Sequence, residues 1–169
     1  MTSSLVGSEM CIRDRDRGAL MQGLLKNKLD VIATDHAPHL LEEKQGGALK
    51  AASGGPLVQH SLQMMLELAR KGKITKEQVV NKMCHAPAIM YKIEKRGYIR
   101  KGYFADLVLV NPNKPYTVTR DNILYKCKWA PLEGETFSTS VEKTFLNGKI
   151  AFEDGVVYDM RGERLRFER

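Results

Sequence analysis

The chain has 169 residues, 43% of them hydrophobic and 28% charged, a globular composition that can bury one core but is too short for a complete (β/α)8 barrel of about 250 residues. No apolar run approaches the roughly 18 residues that would cross a membrane. The net charge of +7 comes from dispersed lysines and arginines without a nucleic-acid motif, and three widely spaced cysteines favour a reducing compartment over a disulfide scaffold. We therefore expect a cytoplasmic protein that binds neither membrane nor nucleic acid.

The first 15 residues do not fit the pattern that follows them. The tract from Ser4 to Arg15 resembles translated sequencing-adapter DNA, and Met1 to Glu9 lacks the basic and apolar regions of a signal peptide. We expect residues 1–15 to be a non-native or disordered tail, and Met1 not to be the native start.

Regular elements are predicted from Asp16 onward. Apolar residues at helical spacing from Ala19 to Leu25 predict a helix. A short, partly β-branched apolar run from Leu29 to Ala33 predicts a buried strand. A glycine-bearing loop follows, with Gly54 and Gly55 near its end.

Two further helices are predicted after that loop. The apolar residues between positions 57 and 69 lie on one side of an amphipathic helix that Lys71-Gly72 ends. Thr75 and Gln78 match a capping box, which starts a helix reaching about residue 84. Pro87 can open another helical turn at its first position.

The spacing of the apolar residues changes from helical to alternating after Gly97, and strands are predicted from there on. One strand covers residues 105–110. Another covers residues 142–146 and turns at Asn147-Gly148 into a third over 149–152, because Asn-Gly between alternating apolar runs is a strong hairpin signal. The sequence thus predicts an α/β part to about residue 92 and a β-rich part from about residue 97.

The segment that carries chemistry runs from Asp30 to His39. An apolar run leads directly into Asp35, His36 and His39, and Pro38 prevents a helix there. Polar side chains at the carboxyl end of a barrel strand are typical of a catalytic site, and a carboxylate there can bind a divalent cation. The alternative is that Asp35 caps the next helix and the histidines only pack. The four histidines include no HxH or HExxH pair, so the sequence holds no self-sufficient metal site.

A family resemblance favours the catalytic interpretation. The TDHAPH block from Thr34 to His39 resembles the eighth-strand signature of dihydroorotases in the amidohydrolase superfamily. In the family's order, the similarity covers about residues 16–160 and includes Glu42-Glu43-Lys44, Gly54-Gly55-Pro56, His85-Ala86-Pro87-Ala88, Arg96 to Gly102, Ala105-Asp106-Leu107-Val108 and Phe145-Leu146-Asn147-Gly148. The resemblance implies an α/β fold class. Residues 16–95 would be the last strand and helices of a TIM-like (β/α)8 metal-dependent hydrolase barrel, and residues 96–169 the C-terminal part of a small β-rich composite domain, or β-sandwich.

The same resemblance implies roles for individual residues. Asp35 matches the aspartate that contacts the metal centre and acts as general acid/base, and His39 matches a substrate-contacting histidine. Gly54 and Gly55 match the loop whose backbone meets the substrate, although Ser53-Gly54-Gly55 departs from the family's common Pro-Phe-Gly wording. The remaining histidines are expected to be structural or to support the site (His36, His60 and His85).

The resemblance also implies a binuclear zinc cofactor, most of whose ligands have no counterpart in this chain. The family's first-strand HxH pair, its bridging lysine or aspartate and its two mid-barrel histidines are all expected upstream. The arginine and asparagine that hold the substrate carboxylate are expected there too. We therefore expect this chain to be a C-terminal fragment that is inactive alone.

The complete protein is then expected to be a dihydroorotase, a metal-dependent cyclic-amide hydrolase that interconverts N-carbamoyl-L-aspartate and dihydroorotate in de novo pyrimidine biosynthesis. Two alternatives stay open. One is another cyclic-amide hydrolase, such as a dihydropyrimidinase (hydantoinase) or an allantoinase, and the other is a catalytically dead homologue that acts as a scaffold. The expected partner is a small-molecule substrate, with a homo-oligomer as a further expectation.

Overall fold

A computed structural model describes residues 14–47 and 49–168 of the chain. Its helices are α1 (Asp14–Leu25), α2 (Ser61–Arg70), α3 (Lys76–Val80) and α4 (Ala86–Met90). Its strands are β1 (Leu107–Asn111), β2 (Tyr116–Thr117), β3 (Thr136–Phe137), β4 (Ser140–Leu146), β5 (Lys149–Glu153) and β6 (Val156–Val157). None of the helices in this part of the chain is long and apolar enough to cross a membrane.

The described residues form two compact units. The first contains the residues up to Leu29 together with Ala33–Leu62 and Thr117–Thr136. The second contains Asp30–Ile32, Gln63–Tyr116 and the residues from Phe137 onward. The division into residues 16–95 and 96–169 therefore stays a prediction about the complete protein.

The first predicted helix is confirmed as α1. Its end is closed by a hydrogen bond of 2.8 Å from the Lys28 backbone N–H to the Gly23 carbonyl, and Asn27 takes a positive φ of 54° just after it. The predicted tail over residues 1–15 lies outside the described residues except for Asp14 and Arg15, which begin α1.

The predicted strand from Leu29 to Ala33 is wrong. No residue of that run belongs to a regular strand. Its backbone N–H groups donate to two unrelated carbonyls, from Leu29 to Gly23 at 3.3 Å and from Ile32 to Lys82 at 3.2 Å. A strand is defined by a ladder with a neighbour, and the described residues give this run no such ladder.

The second and third predicted helices are confirmed. A short 3-10 turn at Val58–His60 leads into α2, as the apolar pattern indicates. The capping box forms in both directions, because the Gln78 N–H donates to Thr75 Oγ1 at 3.1 Å and the Thr75 N–H donates to Gln78 Oε1 at 2.9 Å. A π-helical turn at Asn81–His85 then connects α3 to α4, where Pro87 stands in the first turn.

The β-rich region is an antiparallel sheet with the strand order β1-β4-β5-β6. The predicted hairpin is confirmed, since Leu146 pairs with Lys149. Asn147 and Gly148 turn the chain with φ values of 51° and 79°, which is the left-handed backbone that a two-residue turn between twisted strands requires. A second, two-stranded sheet joins β2 to β3.

Each unit buries its own apolar side chains. The first unit buries Leu24, Val118, Ile123, Tyr125 and Ala130, and the second buries Ile74, Val79, Ala88 and Phe137. The segment 117–136 therefore contributes most of the buried apolar side chains of the first unit, the unit that contains residues 34–39.

Candidate active-site loops

The segment 34–39 and the loop 53–56 lie side by side in the first unit. His36 forms an isolated parallel bridge with Gly55, and the Ala37 N–H donates to the Gly55 carbonyl at 3.2 Å. Asp35 is exposed and has a φ of 46°, in the left-handed region where aspartate is one of the few tolerated residues. The turn at Asp35 thus presents a carboxylate to solvent beside the glycine loop.

His36 holds the two segments together. Its Nδ1 accepts hydrogen bonds from the backbone N–H groups of Leu57 at 3.1 Å and of Val58 at 3.4 Å. A ring nitrogen that accepts carries no proton, so the neutral imidazole has its proton on Nε2. The ring also lies 5.2 Å from the ring of Tyr125. These contacts fit the structural role that the resemblance implies for His36.

Gly54 allows the loop to approach the segment 34–39 closely. Its φ is +96°, and a Cβ built there would lie 2.5 Å from Ala37 Cβ and 3.2 Å from the Ala37 carbonyl oxygen. Only glycine accommodates both the backbone and the contact. Lys44 fixes the loop from within, since its ammonium donates to the carbonyls of Ala52, at 2.5 Å, and of Gly54.

His39 lies at the other end of the segment. Its side chain is 36% exposed, and its Nδ1 is 3.5 Å from Glu43 Oε2. The Glu43 carboxylate also accepts from the Leu40 N–H at 2.6 Å, so it is anchored next to the imidazole. The His39 carbonyl accepts from Trp129 Nε1 at 2.8 Å. Backbone and side chain of His39 therefore both have fixed neighbours.

The other two histidines pack against aromatic rings. His60 is fully buried, burial lowers the pKa of its imidazole, and its ring meets that of Tyr125 edge-on at 6.0 Å. His85, in the second unit, stacks on Tyr98 with ring centres 4.1 Å apart and planes 8° apart. Both environments are those of packed side chains, in agreement with the expectation.

Sequence reasoning missed Trp129 and Lys44, which hold the candidate loops in place. Lys44 belongs to a block already quoted for the resemblance, but no local pattern assigns it a role. Trp129 is the only tryptophan of the chain, and it lies 90 positions from His39. Composition alone could have singled it out as unusual, but not as a neighbour of residue 39.

The potential metal ligands among the described residues do not form the metal centre that the family resemblance implies. Over residues 14–47 and 49–168, no three His, Cys, Asp or Glu side chains converge as a metal site would require. His36 Nδ1 is occupied by backbone N–H groups, and His39 Nδ1 faces Glu43. Asp35 can contribute one carboxylate ligand, and one ligand does not hold a metal pair.

Comparison with known proteins identifies the family. The amidohydrolase family profile matches residues 7–151. The dihydroorotase of Pyrococcus furiosus is 35% identical over 153 residues, which are 90% of this chain and 35% of that protein. The dihydroorotase of Clostridium acetobutylicum is 35% identical over 143 residues, which are 84% of this chain and 34% of that protein. The chain thus spans about a third of the length of these curated relatives.

Solved structures give the fold. The L-hydantoinase (dihydropyrimidinase) of Arthrobacter aurescens matches with a TM-score of 0.82 and 25% identity, over 90% of this chain and 35% of that one. A D-hydantoinase from Thermus matches with a TM-score of 0.81 and 20% identity, over 98% of this chain and 38% of that one. The predicted fold class is confirmed: an α/β chain related to metal-dependent hydrolase barrels, with a small β-rich region. This chain belongs to the amidohydrolase family.

Proposed function

We propose that the complete polypeptide containing this chain is a dihydroorotase, interconverting dihydroorotate and N-carbamoyl-L-aspartate. The observation that carries the proposal is the segment Thr34 to His39. It has the TDHAPH motif that resembles dihydroorotases, and it lies beside the Gly54-Gly55 loop. Two curated dihydroorotases at 35% identity, each over more than four fifths of the chain, support it.

Asp35 is proposed as the general acid/base. In ring opening, a water oxygen bonds to the ring carbonyl carbon, and the carboxylate accepts a proton from that water. The ring C–N bond then breaks, and the same proton passes to the departing amide nitrogen, which leaves the carboxylate regenerated. The exposure of Asp35 and its left-handed turn suit a side chain that must reach a bound ring.

His39, Gly54 and Gly55 are proposed to bind the substrate. The Nδ1 of His39 faces the anchored Glu43 carboxylate, which leaves Nε2 for an anionic or carbonyl oxygen of the ring. The backbone of the glycine loop is proposed to contact the substrate ring, because glycine lets a backbone approach a ligand closely.

The family's chemistry depends on metal, and we propose zinc for the complete enzyme, with Asp35 as one of its ligands. When bound, the metal would polarise the carbonyl and activate water. Because the described residues do not form that centre, this chain alone is predicted to bind no metal pair and to hydrolyse no dihydroorotate. Metal analysis and an assay of the 169-residue chain check both statements. A cytoplasmic location and a homo-oligomer stay predictions.

A second candidate function is hydrolysis of uncharged cyclic amides. It is favoured by the fold likeness to hydantoinases and dihydropyrimidinases, whose TM-scores are about 0.8. Their identity is 20–25%, against 35% for the two dihydroorotases, so dihydroorotase is the better supported of the two.

The test compares four substrates on the complete enzyme: dihydroorotate, dihydrouracil, hydantoin and allantoin. A site built for dihydroorotate contains hydrogen-bond donors for the ring carboxylate. The other three substrates lack this carboxylate and leave those donors unpaired, at a cost of about 1–3 kcal/mol for each buried donor. We expect the highest kcat/KM for dihydroorotate, by about tenfold or more. A higher kcat/KM for dihydrouracil or allantoin would select the second candidate, and turnover of none of them would favour a scaffold.

A further inference from the structure

We infer that Trp129 is a positioning residue for substrate binding, which acts by fixing the backbone of His39. The inference rests on the proposed function, since it concerns the histidine assigned to the substrate there. Trp129 itself is not placed against the substrate, and it therefore is not a catalytic residue.

Trp129 touches both candidate loops at once. Its indole Nε1–H donates to the His39 carbonyl at 2.8 Å. The far edge of the same ring, at Cη2, lies 3.9 Å from the point where a Cβ of Gly55 would stand. One half-buried side chain therefore spans the distance between the histidine and the glycine loop.

The ring is held in place by further neighbours. The ammonium of Lys44 lies 5.8 Å from the centre of the Trp129 ring, within the range of a cation–π contact. The same ammonium donates to the carbonyls of Ala52 and Gly54. Lys44, Trp129 and the glycine loop thus form one connected cluster in the first unit.

The bond to His39 has a specific effect on the backbone. Pro38 restricts φ on the N-terminal side of His39. On the C-terminal side, a hydrogen bond to the His39 carbonyl fixes the plane of the following peptide. Together with Glu43 beside Nδ1, this backbone bond restricts the orientations open to the imidazole. Preorganisation of this kind strengthens binding without contributing to the chemical step.

The test uses the complete enzyme with Trp129→Phe, which removes the N–H donor and keeps a smaller aromatic ring at position 129. We expect KM for dihydroorotate to rise about fivefold, the effect of one neutral hydrogen bond, while kcat stays within about twofold. A variant in which benzothienylalanine replaces Trp129 removes the donor with almost no change of shape, and it should give the same result even if the phenylalanine variant folds poorly.

A double-mutant cycle with His39→Ala separates positioning from a general structural role. If Trp129 acts through His39, Trp129→Phe raises KM in the wild type and leaves it within about twofold in the His39→Ala background. A rise of equal size in both backgrounds, or no rise in the wild type, overturns the inference. A wild-type enzyme that turns over no dihydroorotate would instead refute the proposed function, so the two failures can be told apart.

Discussion

The candidate loops of the first unit and the β1-β4-β5-β6 sheet of the second are built in opposite ways. The loops have single backbone bridges, a left-handed aspartate and a left-handed glycine, and side chains such as His36, Lys44 and Trp129 hold them together. The sheet is an antiparallel ladder of backbone hydrogen bonds, interrupted by register shifts at Leu109/Val110 and at Thr144/Phe145. Groups available for chemistry stand on the irregular backbone, where exposed carboxyl and imidazole groups are directed by contacts rather than by a repeat.

We therefore expect substitutions in the loop region to be most destabilising where the segments 34–39 and 53–56 touch. Gly54→Ala combines a left-handed backbone with a Cβ 2.5 Å from Ala37 Cβ, and we expect it to reduce the free energy of unfolding of the complete protein by about 2–5 kcal/mol. Gly47→Ala is the matched control, since its φ is +78° but nothing lies within 4 Å of its Cβ. The control should lose only about 1–2 kcal/mol.

Urea unfolding of the two glycine variants, followed by circular dichroism, measures this difference. Equal losses for Gly54→Ala and Gly47→Ala would mean that the loops do not approach each other as described.

The second unit also contains a carboxylate held by several hydrogen bonds, that of Glu67. Its loss should lower the stability less than Gly54→Ala does. Glu67 of α2 accepts from the Ser138 hydroxyl at 2.6 Å, from the Ser138 N–H at 3.2 Å and from Arg70 at 3.1 Å. The Ser138 hydroxyl, the Arg70 guanidinium and the Ser138 backbone N–H lower the pKa of Glu67 from 4.5 to about 2. Glu67→Gln is therefore expected to reduce the free energy of unfolding by about 1–3 kcal/mol at pH 7.

The pH dependence gives this prediction a signature. Because the folded pKa of Glu67 is depressed, its contribution is present above about pH 4.5 and is lost as the pH falls toward 2. Between these values the stability of Glu67→Gln should fall less steeply than that of the wild type, whereas exposed Glu135→Gln should follow the wild type. Parallel curves for wild type and Glu67→Gln would show that the carboxylate does not stabilise the fold.

The same contrast explains what could be predicted from the sequence. The Asn147-Gly148 hairpin and the Thr75 capping box were predicted correctly, because both depend on residues within three positions of each other. The predicted strand at 29–33 was wrong, because a strand needs a partner from elsewhere in the chain and the local sequence does not show whether one is present. Asp35 could be singled out only through its motif, and its role stays a prediction.

No local sequence pattern could have predicted the hydrogen bond from Trp129 to His39. Trp129 reaches a carbonyl 90 positions earlier in the chain, and its sequence neighbourhood has no pattern that marks a partner. Contacts of this kind are set by how the segment 117–136 packs in the first unit, and they become visible only in three dimensions.

The most direct test of the central claim is the turnover of dihydroorotate by the complete enzyme with Asp35→Asn. If Asp35 moves the proton, kcat should fall by about 10²–10⁴-fold with an unchanged melting temperature. Asp30→Asn, a change at an exposed aspartate five positions earlier, should keep kcat within about twofold. An Asp35→Asn enzyme with a near wild-type kcat would place the general acid/base elsewhere and contradict the account.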